Sequence, residues 1–210
     1  MARRTKEDAL ATRTALLDAA ERVFLQQGVS RTSLADIAQA ASVTRGALYW
    51  HFKDKAALFS AMLDRVALPL SAELEELLNR EGDVLAPWCV QMRHVLHQIA
   101  HDARARRVLQ IVMQKAEHAQ DLGPVLERHV ARHRMSIDSL RQLLERVAAA
   151  RHVRLPAPAL QLAHGLDAMV RGLIYNWLLD RGFDLESTGQ AAIEAYLRGI
   201  GLAVAPGAGA

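Results

Sequence analysis

An all-α fold follows from three features of the 210-residue sequence. No segment alternates apolar and polar residues with the period of two that a strand requires, no hairpin signal occurs, and no internal repeat is present. Apolar residues recur three and four positions apart, the spacing that stacks side chains on one helical face. Residues that start and stop helices bracket these stretches.

The first helix is expected from about Lys6 to Gln27, with Leu10, Leu17, Ala20 and Phe24 at helical spacing and Gly28 as its stop. Ser33-x-x-Asp36 then reads as a capping box opening a short helix that turns Leu34, Ile37, Ala38 and Ala41 to one side. After a three-residue turn, Thr44 can cap a second short helix that buries Leu48 and Phe52. Asp54 can cap a fourth helix carrying Leu58, Met62 and Val66 inward and continuing towards Leu78. Pro69 would kink or split that helix, because proline removes a backbone hydrogen bond and crowds the preceding turn. Further helices are expected over Val84 to Ala100, Ala103 to Glu117, Gly123 to Ala150, Ala159 to Asp180 and Leu185 to Ala203, making about nine. The Ala/Gly/Pro tail has too little to bury and should be disordered over 205–210.

With 51% hydrophobic residues, the chain can bury one sizeable core and a smaller satellite. Through residue 55, nine Lys/Arg oppose six Asp/Glu, whereas the remaining 17 of each cancel, so the whole formal charge of +3 lies in the N-terminal quarter. That is where a phosphate backbone would be met. A single cysteine, Cys89, rules out an intramolecular disulfide framework. No apolar run approaches the ~18 residues of a membrane span, and no signal-peptide core follows the basic N-terminus. A soluble, cytoplasmic protein with no membrane partner is expected.

The two short helices from Thr32 to Lys55 have the form of a helix-turn-helix. Their outward face carries Arg45, Gly46, Tyr49 and Trp50, a poor solvent face but a good one for a DNA major groove: arginine pairs with guanine, glycine permits close approach, and polar groups reach phosphates. The run T-R-G-A-L-Y-W-H-F-K-D-K from Thr44 to Lys55, A-D-I-A from Ala35 to Ala38, G-V-S-R-T-S from Gly28 to Ser33 and the N-terminal M-A-R-R-T-K-E-D-A resemble the TetR/AcrR transcriptional repressors. The Y-W-H-F form is most like the subgroup that represses multidrug efflux pumps. Ser42 departs from the glycine usual in that turn.

The resemblance implies a helix-turn-helix DNA-binding domain over 1–55, a ligand-binding and dimerisation domain over 56–204, and a homodimer on a palindromic double-stranded DNA operator, released by a hydrophobic small-molecule inducer. Thr44 and Arg45 would reach bases or adjoining backbone, and Tyr49, His51 and Lys55 would hold phosphates. Arg3, Thr32, Ser33, Gly46 and Trp50 complete the expected DNA-binding set. The inducer cavity would draw on Val66, Leu70, Trp88, Met92, Val95, Met113 and Ile137, with Arg171 as a buried cation neutralised by Asp167. The last two helices would form the dimer through Leu162, Leu166, Met169, Leu173, Trp177, Ile193, Tyr196, Leu197 and Ile200, although such a stripe also fits ordinary core.

Two other readings follow from the residues. His94, His97 and His101, or His129 and His133, could share a helix face and suggest metal sensing, but no cysteine or acidic cluster adjoins them except Asp102, so no metal or other cofactor is assigned. Cys89 admits a redox-sensing alternative, with plain packing the simpler role. No catalytic motif is present, which argues against an enzyme.

Overall fold

The computed structural model describes residues 2–65, 74, 76–114 and 122–203. No strand occurs among the described residues, and the helices with defined bounds are α1 (Ala2–Gln27), α2 (Leu34–Ala40), α3 (Arg45–His51), α4 (Lys55–Asp64), α5 (Leu85–His101), α6 (Ala103–Gln114), α7 (Gly123–Ala150), α8 (Ala159–Asp180) and α9 (Leu185–Gly199); residues 74 and 76–78 are also helical. Pro69 and the tail lie outside the described residues.

The chain divides into two compact units, Met1–Ala67 with Arg104–His129, and Leu68–Ala103 with Val130–Ala210. The first extends past the boundary expected at residue 55 and takes in a distant segment, for a physical reason. Helices α2 and α3, seven residues each, leave one side of α1 to be covered by other elements: Leu16, Leu17, Phe24, Ile37 and Leu48 pack in one cluster with Leu58, Phe59 and Met62 of α4, Val108 and Ile111 of α6, and Val125 of α7. Full burial of each such side chain contributes about 1.5–3 kcal/mol. Phe24 meets Phe59 edge-on with ring centroids 5.9 Å apart.

A buried charge cluster joins the same helices. Glu21 of α1 is 0% exposed, and its carboxylate accepts from Arg65 Nη1 just past α4 and from Arg107 Nη2 of α6, both at 3.1 Å. Asp18, one turn earlier, pairs with Arg65 at 2.7 Å and Arg104 at 3.4 Å. Fully buried glutamate is tolerated only when its oxygens are satisfied in this way.

In the second unit α9 packs on both α5 and α8. The approach to α5 is so close that a Cβ added at Gly189 would lie 2.5 Å from Leu96 Cδ1. Five residues expected at a dimer interface, Leu166, Trp177, Ile193, Leu197 and Ile200, are buried in the protomer's own core. Leu162, Met169, Leu173 and Tyr196 are half-buried, and Tyr196 Oη donates to the Leu162 carbonyl at 2.8 Å. The interior took the most apolar stripe of α8, leaving Leu160, His164, Ala168, Tyr175 and Leu179 exposed.

Arg171 is also corrected: it is exposed rather than buried. Its Nε donates to both Asp167 oxygens at 2.9 Å, the expected neutralising pair, and its Nη2 lies 2.8 Å from His133 Nδ1.

Candidate nucleic-acid interface

The helix-turn-helix is built from local signals. Ser33 Oγ accepts from the Asp36 N–H at 3.2 Å while the Asp36 carboxylate accepts from the Ser33 N–H at 2.8 Å, closing the capping box. These hydrogen bonds hold the Asp36 carboxyl below its usual range. Thr44 Oγ1 accepts from the Ala47 N–H at 3.2 Å and starts α3. Between the helices Ser42 adopts φ 56°, the left-handed conformation that favours glycine, at a cost on the order of 1 kcal/mol.

Capping at Thr44 fixes which side of α3 faces out. Leu48 turns inward, whereas Thr44, Arg45, Gly46, Tyr49 and Trp50 are exposed, Trp50 at 73%. Such exposure of a tryptophan is costly in water and suits a surface that acquires a partner. His51 is half-buried, its ring 4.6 Å from that of Trp50; burial, reinforced by the Arg13 charge, lowers its pKa, so near neutrality it is an uncharged hydrogen-bonding group. Arg13 lies over the Phe52 ring at 5.3 Å.

Three expected DNA-binding residues have structural tasks. Thr32 is buried, its hydroxyl donating to the Gly28 carbonyl at 2.7 Å, which ties the loop to the end of α1. Ser33 serves the capping box. Lys55 turns inward, Nζ donating at 3.1 Å to the carbonyls of both Val29 and Thr32. Lys53, which sequence reasoning passed over, has the side chain that stands out into solvent, 83% exposed. The two lysines flank Asp54, whose carboxylate accepts from the Ala57 N–H, and nothing in their spacing says which points outward. Arg3 lies in the first turn of α1, its side chain outside the described residues.

A compact helix-turn-helix with an arginine-bearing, solvent-facing second helix is shared with known DNA-binding proteins. Residues 16–62 match the model of bacterial regulatory proteins of the tetR family, and residues 89–201 match the C-terminal region of MAATS-type transcriptional repressors. The chain belongs to the TetR family. The HTH-type transcriptional regulator AcrR of Shigella flexneri is 37% identical over 188 residues, covering 89% of this chain and 87% of that protein. Among solved structures, NalD, the secondary repressor of the MexAB-OprM multidrug efflux pump in Pseudomonas aeruginosa, is 39% identical with a TM-score of 0.80, covering 92% of this chain and 98% of its own. The complex of SmeT with triclosan is 30% identical with a TM-score of 0.78 over 95% of each chain. SmeT is the repressor of the Stenotrophomonas maltophilia efflux pump SmeDEF.

As a TetR-family regulator the chain is a transcriptional repressor of the kind that binds operator DNA and dimerises, not an enzyme. No described helix is long and apolar enough to cross a membrane.

The residues expected around an inducer are drawn from both units. Trp88, Met92 and Val95 are buried on α5 and Ile137 is buried on α7, all in the second unit. Met113 belongs to the first unit, and Val66 and Leu70 lie outside the described residues. An open cleft of about 480 Å³ in the second unit has a different lining, including Leu77, Pro87, Val90 and His94. Burial pushes the Cys89 thiol up to about 11, which keeps it protonated and unreactive near neutrality and disfavours a redox sensor.

Proposed function

We propose that the chain is a homodimeric cytoplasmic repressor of a multidrug efflux operon, released from a palindromic operator by a hydrophobic small molecule. The observation that carries this reading is an exposed α3 joined to a C-terminal region that matches transcriptional repressors over residues 89–201. The efflux repressors NalD and SmeT, similar along nearly the whole chain, support the regulated gene class, and the triclosan complex of SmeT supports the inducer class.

In this reading each α3 enters a major groove, the pair ~34 Å apart or at a multiple of one turn of B-DNA. Arg45 reads a base, Gly46 lets the helix approach, and Thr44, Tyr49, His51 and Lys53 contact the backbone. The exposed side of α8, Leu160, His164, Ala168, Tyr175 and Leu179, forms the dimer contact with α9. An inducer among the α5 and α7 side chains Trp88, Met92, Val95 and Ile137 must bind the DNA-incompetent conformer more tightly, since equal affinity for both would shift nothing. Met92 gives such a site room to repack around unlike ligands.

Fluorescence anisotropy of the labelled DNA upstream of this gene, with and without a panel of hydrophobic antimicrobials, tests the reading. Nanomolar, sequence-specific binding that a compound reverses is expected. Tight binding that no compound reverses would overturn the inducer class, and absence of specific binding would overturn the operator assignment.

A further inference from the structure

The seam between α5 and α9 brings together side chains that the repressor reading does not use. His97 and His101 are four residues apart on α5, so their rings share a face; the centroids are 4.1 Å apart and the planes nearly parallel, at 26°. Glu186, in the first turn of α9, meets them from across the seam, its Oε2 2.8 Å from His97 Nδ1. One donor atom from each of the three residues lies within 4.8 Å of the others.

We propose that His97 and His101, through their Nε2 atoms, bind a divalent transition-metal ion of the zinc class, with Glu186 orienting His97 and supplying negative charge beside it. Hydrogen bonding sets both imidazoles in the ligating tautomer. The carboxylate of Glu186 can only accept, so His97 Nδ1 carries the proton. The His97 carbonyl likewise accepts, at 2.9 Å, from His101 Nδ1. Each ring is thereby left with an unprotonated Nε2, and a carboxylate or carbonyl orienting the other nitrogen is the usual support of a metal-bound histidine. A pair of imidazoles suits zinc and its neighbours better than calcium or magnesium, which prefer oxygen ligands throughout.

The seam is closely packed beside the exposed histidines. Leu96, next to His97, lies against Gly189, three residues past Glu186, where a Cβ would come within 2.5 Å of Leu96 Cδ1. Both histidines face solvent, so water can fill the remaining coordination positions and no buried charge has to be compensated. Asp184, whose carboxylate caps α9 by accepting from the Ser187 N–H at 2.7 Å, adds a second negative charge at the same end.

Calorimetric titration of the metal-free full-length protein with zinc chloride, paired with thermal denaturation, tests the site. Wild type should take up one ion saturably per protomer at this site and melt at higher temperature with zinc. His97→Ala and His101→Ala should each weaken that binding by about tenfold or more, and the double variant should lose the zinc-dependent rise in melting temperature while melting like wild type without metal. Glu186→Gln, which keeps an acceptor for His97 but removes the charge, should weaken binding, and His129→Ala on α7 should leave it intact. Absence of saturable zinc binding to wild type, or a double variant that binds and is stabilised as wild type is, would overturn the proposal.

Discussion

Replacing Lys55 by methionine separates two roles that the sequence leaves confounded. The amine donates to the Val29 and Thr32 carbonyls, both at 3.1 Å, in the loop that leads into the α2 cap. A hydrogen bond to a charged group contributes about 1.5–3 kcal/mol net, and methionine retains the packing of the stem. The amine is half-buried, so water recovers part of the loss; about 2 kcal/mol remains, a fall of about 4–8 °C in melting temperature for a chain of this size. If Lys55 is structural, the slope of log operator affinity against log salt should match wild type when measured where the variant is folded. Lys53→Met should do the reverse. Its side chain is 83% exposed, so stability should change by less than about 0.5 kcal/mol while the salt slope shallows by about 0.9 for each phosphate left without its cation. Denaturation by heat and urea, beside anisotropy over a salt series, measures both quantities. A Lys55→Met protein that melts like wild type but has a shallower slope would refute the reasoning.

Glu21→Gln should destabilise by about 3–5 kcal/mol in urea denaturation, because it leaves Arg65 and Arg107 facing an uncharged, buried partner. Ser42→Gly should stabilise by about 0.5 kcal/mol, relief of the left-handed strain outweighing glycine's larger unfolded-state entropy; a lower urea midpoint would contradict this. The folded pKa of His51 lies below the ordinary value of 6.5, so the unfolded chain binds the extra proton first: stability is fully present above about pH 6.5 and declines as pH falls below it. His51→Gln should flatten that decline in pH-dependent denaturation, and leave the salt slope at pH 7.5 unchanged because the ring is neutral there. Arg45→Ala should weaken operator binding by about 1–3 kcal/mol and relax preference at one base pair per half-site, as measured with single-substituted operators.

The helix-turn-helix was legible because its determinants act over three or four residues. Ser33 with Asp36, Thr44 with Ala47, and the turn at Ser42 all lie where the sequence places them. Lys53 and Lys55 were not separable by the same logic. Both are cations beside one helix cap, and the carbonyls that draw Lys55 inward lie 26 and 23 residues away. The burial of Thr32 was not legible for a related reason: its hydroxyl satisfies the Gly28 carbonyl, an orphan at the end of α1 that a reading of α2 alone does not see. Glu21 was missed altogether. Its signal is one glutamate among the apolar positions of α1, and its partners come from residues 65 and 107.

Helix α8 shows what pattern reasoning cannot decide and what it still implies. A helix with one apolar stripe covers that stripe with its own protein, whereas one apolar nearly all round must be covered on more than one side. Leu166, Val170, Ile174 and Trp177 of α8 face the protomer's core, yet Leu160, Ala168, Tyr175 and Leu179 stay exposed on the same helix. Sequence gives both groups the same chemistry, and Leu166 and Trp177 of the more apolar group are the ones it places at a dimer interface. In the single protomer Leu166 and Trp177 are buried in its own core. What remains outside is smaller and mixed with polar groups such as His164 and Arg171, as befits a surface that must be tolerable in water before it is covered. In the dimer proposed above, the exposed Tyr175 and Leu179, rather than the buried Trp177, are the apolar part of α8 left for a second copy to cover.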